Sequence, residues 1–141
     1  VSNWYEMIRL IRMSKHVFGK ERRKTINDNT NPFGPDDLYI SLYTGKIYCP
    51  TTGVYTFAIN SDDASFLLID GKMVVQWPNG HIPSKDWEHI GTIYLTKGLH
   101  RIEYYHQETF GAQLACVGWK PPGQSKIQII PEEFFCPYLR C

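Results

Sequence analysis

The sequence predicts an all-β fold, an antiparallel sandwich or barrel, on three grounds. From about residue 36 onward, short runs rich in Tyr, Phe, Ile and Val recur, with turn signals every eight to twelve residues. Aromatic residues make up 14% of the chain and charged residues only 21%, a balance that favours packed strands over disorder. The 141 residues amount to a single domain, spanning 1–141, and no internal repeat or low-complexity tract divides them.

Along the chain, Trp4 to Met13 reads as a strand or one short helix, because its apolar residues fit neither period cleanly. Asn27 to Asp37, with two prolines and a glycine, reads as a loop. Gly53 to Ile59 alternates, with Tyr55, Phe57 and Ile59 on one face and Val54, Thr56 and Ala58 on the other. Ser65 to Ile69 is a continuous apolar run, expected of a strand buried on both faces. Asp70-Gly71 is a strong hairpin signal, and the chain returns as Lys72 to Val75. Thr92 to Leu95 is turned by Lys97-Gly98 into His100 to His106, with Ile102 and Tyr104 inward and Arg101 and Glu103 outward. Gln113 to Trp119 follows and is stopped by Pro121-Pro122-Gly123.

Charge and cysteine content narrow the class. Fifteen Lys and Arg against fourteen Asp and Glu leave +1, without the basic excess of a nucleic-acid partner. Seven of those basic residues (Arg9, Arg12, Lys15, Lys20, Arg22, Arg23, Lys24) lie between positions 9 and 24, so the rest of the chain is mildly acidic. This basic segment reads as a solvated edge and loop, ahead of an anion-binding patch. No apolar stretch approaches the roughly 18 residues of a membrane span, so no membrane insertion is expected. Val1 opens a segment without signal-peptide shape, as expected of a processed or excised piece. The even set Cys49, Cys116, Cys136 and Cys141 suits disulfides and an extracellular address, and it allows three connectivities. The short Cys136–Cys141 spacing most easily closes a loop and leaves Cys49 with Cys116; the alternative for that pair is two buried thiols. With no C-x-x-C, no H-x-H and scattered histidines, zinc is not expected.

The segment Gly53-Val54-Tyr55-Thr56-Phe57, then Ser61-Asp62-Asp63-Ala64, a buried strand and Asp70-Gly71-Lys72 resembles the protective-antigen-type domain, the PA-fourteen family. Its pattern is a G-x-Y-x-F strand, S-D-D-G, a buried strand and D-G-K; Ala64 stands in place of the glycine. Gly91 to His100, Ile102 to Tyr105 and Leu114 to Trp119 extend the resemblance over about residues 39–135, leaving 1–38 as a basic N-terminal segment. It implies a jelly-roll-like β-sandwich, an accessory module of secreted or surface proteins, in which the turn aspartates share a cis peptide and ligate calcium. Here those would be Asp62 and Asp63. A trans-linked extended pair points its side chains to opposite faces, whereas a cis bond swings both to one side. Calcium takes six to eight oxygens, so adjacent convergent carboxylates are a good nucleus.

The resemblance places the second calcium-binding loop at His106 to Gly111, with Gln107 and Glu108 as candidate metal ligands and Thr109 as a ligand-binding candidate. The loop Gln76 to Trp87 forms another candidate wall, with Trp77 and Trp87 as candidates for stacking on a sugar. Catalysis has little support, since G-x-S-x-G, H-E-x-x-H and a glycine-rich phosphate loop are all absent. The adjacent Glu132-Glu133 says nothing about facing across a cleft, and the even spacing of His100 and His106 does not make a site. The expected function is non-catalytic, calcium-dependent binding of glycan at the cell surface or outside it. The alternative is a structural or protein-interaction sandwich of a larger extracellular protein, without a calcium site.

Overall fold

The computed structural model describes residues 1–14, 17, 19–29, 31, 38–109 and 113–135. Among the described residues one helix, α1 (Trp4–Met13), precedes nine strands: β1 (Asn27–Asp28), β2 (Tyr39–Cys49), β3 (Gly53–Asp62), β4 (Ser65–Ile69), β5 (Lys72–Trp77), β6 (His89–Leu95), β7 (Gly98–Glu108), β8 (Leu114–Lys120) and β9 (Gln128–Ile129). Glu132–Phe134 form a 3₁₀ turn. The strands make two antiparallel sheets, β1-β8-β3-β6 with β9 also on β8, and β2-β7-β4-β5.

Period-2 alternation explains the core. Tyr55, Phe57 and Ile59 of β3 and Val117 and Trp119 of β8 face Leu67 and Ile69 of β4 and Ile102 and Tyr104 of β7. The Asp70-Gly71 hairpin turns with both residues at positive φ, 52° and 77°, the left-handed conformation that Asp-Gly supplies. At Gly91 a Cβ would stand 2.0 Å from the Val74 carbonyl oxygen, so β6 crosses β5 with no room for a side chain.

The first segment is a helix, and its partner explains the apolar run of β4. Asn3 caps it through Oδ1, which accepts the Glu6 N–H at 2.9 Å, while Glu6 reaches back to the Ser2 N–H at 3.0 Å. Trp4, Met7, Ile8 and Ile11 follow the i, i+3, i+4, i+7 spacing of one helix face and pack with Phe66, Leu68 and Tyr105. Exposed Tyr5, Leu10 and Met13 blur this pattern in the sequence. Leu67 and Ile69 face the opposite sheet and Phe66 and Leu68 face the helix, so every residue of β4 is buried. Glu103, expected outward, is nonetheless buried, accepting from the Tyr105 hydroxyl at 2.6 Å and pairing with Arg101.

The cysteine pairing is corrected. Cys49 and Cys116 are free, buried thiols. They belong to different sheets and opposite ends: Cys49 pairs with Gly98, while Cys116 lies opposite Asn60, two residues from Asp62. A disulfide requires Cα atoms within about 7 Å, which this placement denies. Burial pushes both thiols up to about 11, so they stay protonated. Cys136 and Cys141 lie outside the described residues.

Two outcomes follow from these contacts. Met7 is fully buried on the inward face of α1, so Met7→Ala is expected to lower unfolding stability by about 2–5 kcal/mol in urea titration. His100 donates from Nδ1 to Asp70 at 2.6 Å and from Nε2 to the Thr96 carbonyl at 2.7 Å, a pattern only the imidazolium satisfies. Burial opposes that charge, but the Thr96 carbonyl and the Asp70 carboxylate outweigh it and raise the pKa. The raised pKa stabilises fully below the unfolded value near 6.5, and the gain disappears as pH rises through the folded value. His100→Gln should therefore cost more melting temperature near pH 5.5 than near pH 8.5.

Candidate functional site

The site forms where the chain passes from one sheet to the other. β3 ends at Asp62, a cis peptide joins it to Asp63, and β4 begins at Ser65. Because β4 runs antiparallel to β7 with Ser65 opposite His106, the end of β7 lies beside the aspartates. Gln107 brackets this turn with its backbone: its carbonyl accepts the Asp63 N–H at 2.8 Å, and its N–H donates to the Ala64 carbonyl at 2.8 Å. The two aspartate carbonyls are held from inside, Asp62 by His106 Nε2–H at 2.6 Å and Asp63 by the Ser61 hydroxyl at 2.7 Å. Burial keeps His106 neutral, with its pKa down to about 4, so the Nε2–H tautomer is available for this bond. Ala64, in the place of the family's glycine, needs no positive φ, and its methyl is buried in the cluster beneath α1.

On this frame the side chains of Asp62, Asp63 and Glu108 converge. One carboxylate oxygen from each lies within 4.8 Å of the others, and all three residues are buried. Asp63 is the best held: Oδ2 accepts the Thr109 hydroxyl at 2.7 Å and the Thr109 N–H at 2.8 Å, and Oδ1 accepts the His81 N–H at 3.0 Å. Burial works against its charge, but these bonds outweigh it and hold the carboxyl below the usual range. Asp62 moves the other way, up to about 6, through burial and the charge of Asp63. Among the described residues no Lys or Arg ion pair reaches either aspartate.

Of the residues singled out in the sequence, the structure brings Asp62, Asp63, Glu108 and Thr109 together. Gln107 supports the turn through its backbone, while its side-chain Oε1 accepts from the Val1 nitrogen at 2.7 Å. Trp77 is stacked on His81 at 3.6 Å and on His89 at 3.8 Å, nearly parallel to both. Two rings at those distances occupy opposite faces, so Trp77 has no free face for a sugar. Trp87 covers Gly118, where an added Cβ would meet its ring at 2.9 Å; it packs on β8 at the position opposite Ala58, four residues from Asp62 along β3. Phe110 and Gly111 lie outside the described residues. The sequence reading missed His81, Ser61 and His106 as supports. His81 acts through its backbone N–H, which no side-chain pattern reveals; the Asn79-Gly80 turn before it was the available signal.

The donor set fits a hard cation. Three carboxylates supply oxygen and no sulfur, and His106 Nε2, at the same turn, is committed to the Asp62 carbonyl. A divalent ion would also balance the repulsion that raises Asp62.

Comparison with known proteins gives the family. The model of the PA14 domain matches residues 22–133. No curated protein matches. Among solved structures, the chain is similar to an anti-sigma factor domain-containing protein from Clostridium clariflavum, with 25% identity and a TM-score of 0.71 over 82% of this chain and 40% of that one. It is also similar to the PA14 sugar-binding domain from an RTX adhesin, with 20% identity and a TM-score of 0.59 over 68% of this chain and 52% of that one. A third is the Epithelial Adhesin 9 A domain from Candida glabrata in complex with Galb1-4GlcNAc, with 16% identity and a TM-score of 0.53 over 74% of this chain and 63% of that one. The chain thus spans less than two thirds of the length of each of these structures. Its two-sheet architecture is that of a β-sandwich, and the chain belongs to the PA14 domain family.

Proposed function

We propose that this domain is a non-catalytic carbohydrate-binding module that recognises glycan hydroxyls at a calcium ion. The observation that carries the reading is the convergence of Asp62, Asp63 and Glu108 at the turn between the sheets, in a chain of the PA14 family. Asp62, Asp63 and Glu108 would hold the ion, while Thr109 and His81 keep the Asp63 carboxylate aligned. Calcium, with its high coordination number, supplies positions at which adjacent sugar hydroxyls replace water. Two similar structures, a sugar-binding domain of an adhesin and an adhesin domain in complex with a disaccharide, support the ligand class and an extracellular or cell-surface setting. The partial coverage of its neighbours supports a module within a longer polypeptide.

Thermal melting with calcium or EDTA tests the metal. Free calcium at 100 times its Kd should stabilise the fold by about 2.7 kcal/mol, and Asp62→Asn/Asp63→Asn should abolish the shift. A double variant that keeps its calcium-dependent melting would sink the assignment. Glycan-array binding should disappear in EDTA; a protein without any calcium response would point to the structural or protein-interaction reading. Turnover of a chromogenic glycoside that survives EDTA would overturn the non-catalytic reading.

The alignment of Asp63 makes a separate expectation. Thr109→Val removes a hydroxyl bond to a charged acceptor while keeping the backbone donor, so calcium affinity by titration calorimetry should fall about tenfold, as for a loss of about 1.4 kcal/mol. Thr109→Ser should restore it.

A further inference from the structure

The helix α1 lies outside residues 22–133 matched by the family, yet its segment reaches the Asp62–Asp63 turn by three routes. First, the methyl of Ala64, directly after the aspartate pair, is buried in the cluster that holds Met7, Trp4, Ile8 and Ile11. Second, the Val1 nitrogen donates to Gln107 Oε1 at 2.7 Å, and the backbone of that glutamine brackets Asp63 and Ala64. Third, the Val1 carbonyl accepts the Asn79 N–H at 2.7 Å, two residues before the His81 N–H that donates to Asp63. The segment thus joins the β5–β6 loop and the end of β7, from which His81 and Thr109 hold the Asp63 carboxylate, to the start of β4. Trp4 anchors it, 4.7 Å edge-on to Tyr105 and 5.6 Å from Phe66.

We propose that the segment Val1–Met13 is a latch that positions the Asp63 carboxylate, so that docking of this helix and metal binding at the turn strengthen one another. The metal half of this coupling rests on the calcium reading above. Linkage makes it reciprocal: a docked helix raises affinity by the factor by which bound metal tightens the helix. The coupling needs no large movement, because the helix works through a buried methyl and two hydrogen bonds to the elements around Asp63.

The test compares Gln107→Ala, which cuts one tie and leaves the backbone bracket, with Met7→Ala, which loosens the helix. Ile47→Ala is the control for general destabilisation; Ile47 is fully buried at the other end of the fold, opposite His100. Calcium titration should show at least about fivefold weaker affinity in Gln107→Ala and Met7→Ala than in the wild type, and no such loss in Ile47→Ala. Without calcium, hydrogen exchange should show the His81 and Thr109 amides losing protection in the first two variants beyond the control. With calcium, the amides of α1 in the wild type should exchange more slowly. Affinities and amide protection no different from Ile47→Ala would overturn the latch. If the wild type binds no calcium, the metal reading fails and the coupling with it, while the exchange of the two amides still decides whether the helix positions Asp63.

Discussion

The organising constraint is electrostatic: two carboxylates on adjacent residues share a buried corner, with no Lys or Arg ion pair reaching either among the described residues. Such charges demand either fixed donors or a cation. The protein divides the task. Asp63 receives three bonds from two loops and ionises readily, while Asp62 is pushed up to about 6 by its burial and then by its neighbour's charge. The arrangement of the β5–β6 loop and of Thr109 follows from this, since both must present N–H groups to one carboxylate.

That corner can be held because everything behind it is packed. β4 is covered on one face by the opposite sheet and on the other by α1, and its first residue, Ser65, shares a 2.7 Å hydrogen bond with Ser61. Tyr55, Phe57 and Trp119 fill the space between the sheets at ring separations of 5.6–6.4 Å, so β3 and β8 pack as one layer. A buried frame of this kind places side chains better than loops alone. The carbonyl bonds from His106 and Ser61 tie the aspartate backbone to it.

The strands were legible because their signals are local. Alternation in Gly53 to Ile59 and the Asp70-Gly71 turn depend on period and φ, which single residues encode. The apolar run of β4 also gave its burial, but not its cover, because α1 shows its Trp4-Met7-Ile8-Ile11 face only when Tyr5, Leu10 and Met13 are known to be exposed. At the site, the aspartates and Glu108 carried a motif. The partners of the Gln107 and Trp77 side chains were not legible, because they are set by neighbours distant in sequence: Val1 for one, His81 and His89 for the other. The cysteines failed for the same reason, since an even count carries no information about which sheet or which end each thiol occupies.

The fate of Trp77 shows how a residue that suits ligand stacking can serve the site by another route. Its ring is enclosed by two imidazoles, and burial together with the nearby His81 lowers the pKa of His89, which favours the neutral ring for stacking. His81 is fixed twice more, by its Nε2 at 3.2 Å from the Trp77 carbonyl and by its own N–H on Asp63. The indole therefore acts as a strut: it settles the position of His81, and through the His81 backbone that of the Asp63 carboxylate. Loss of the indole would free the imidazole first and the carboxylate second, so Trp77 touches the chemistry of the turn only through a backbone N–H two elements away from the aspartates in sequence.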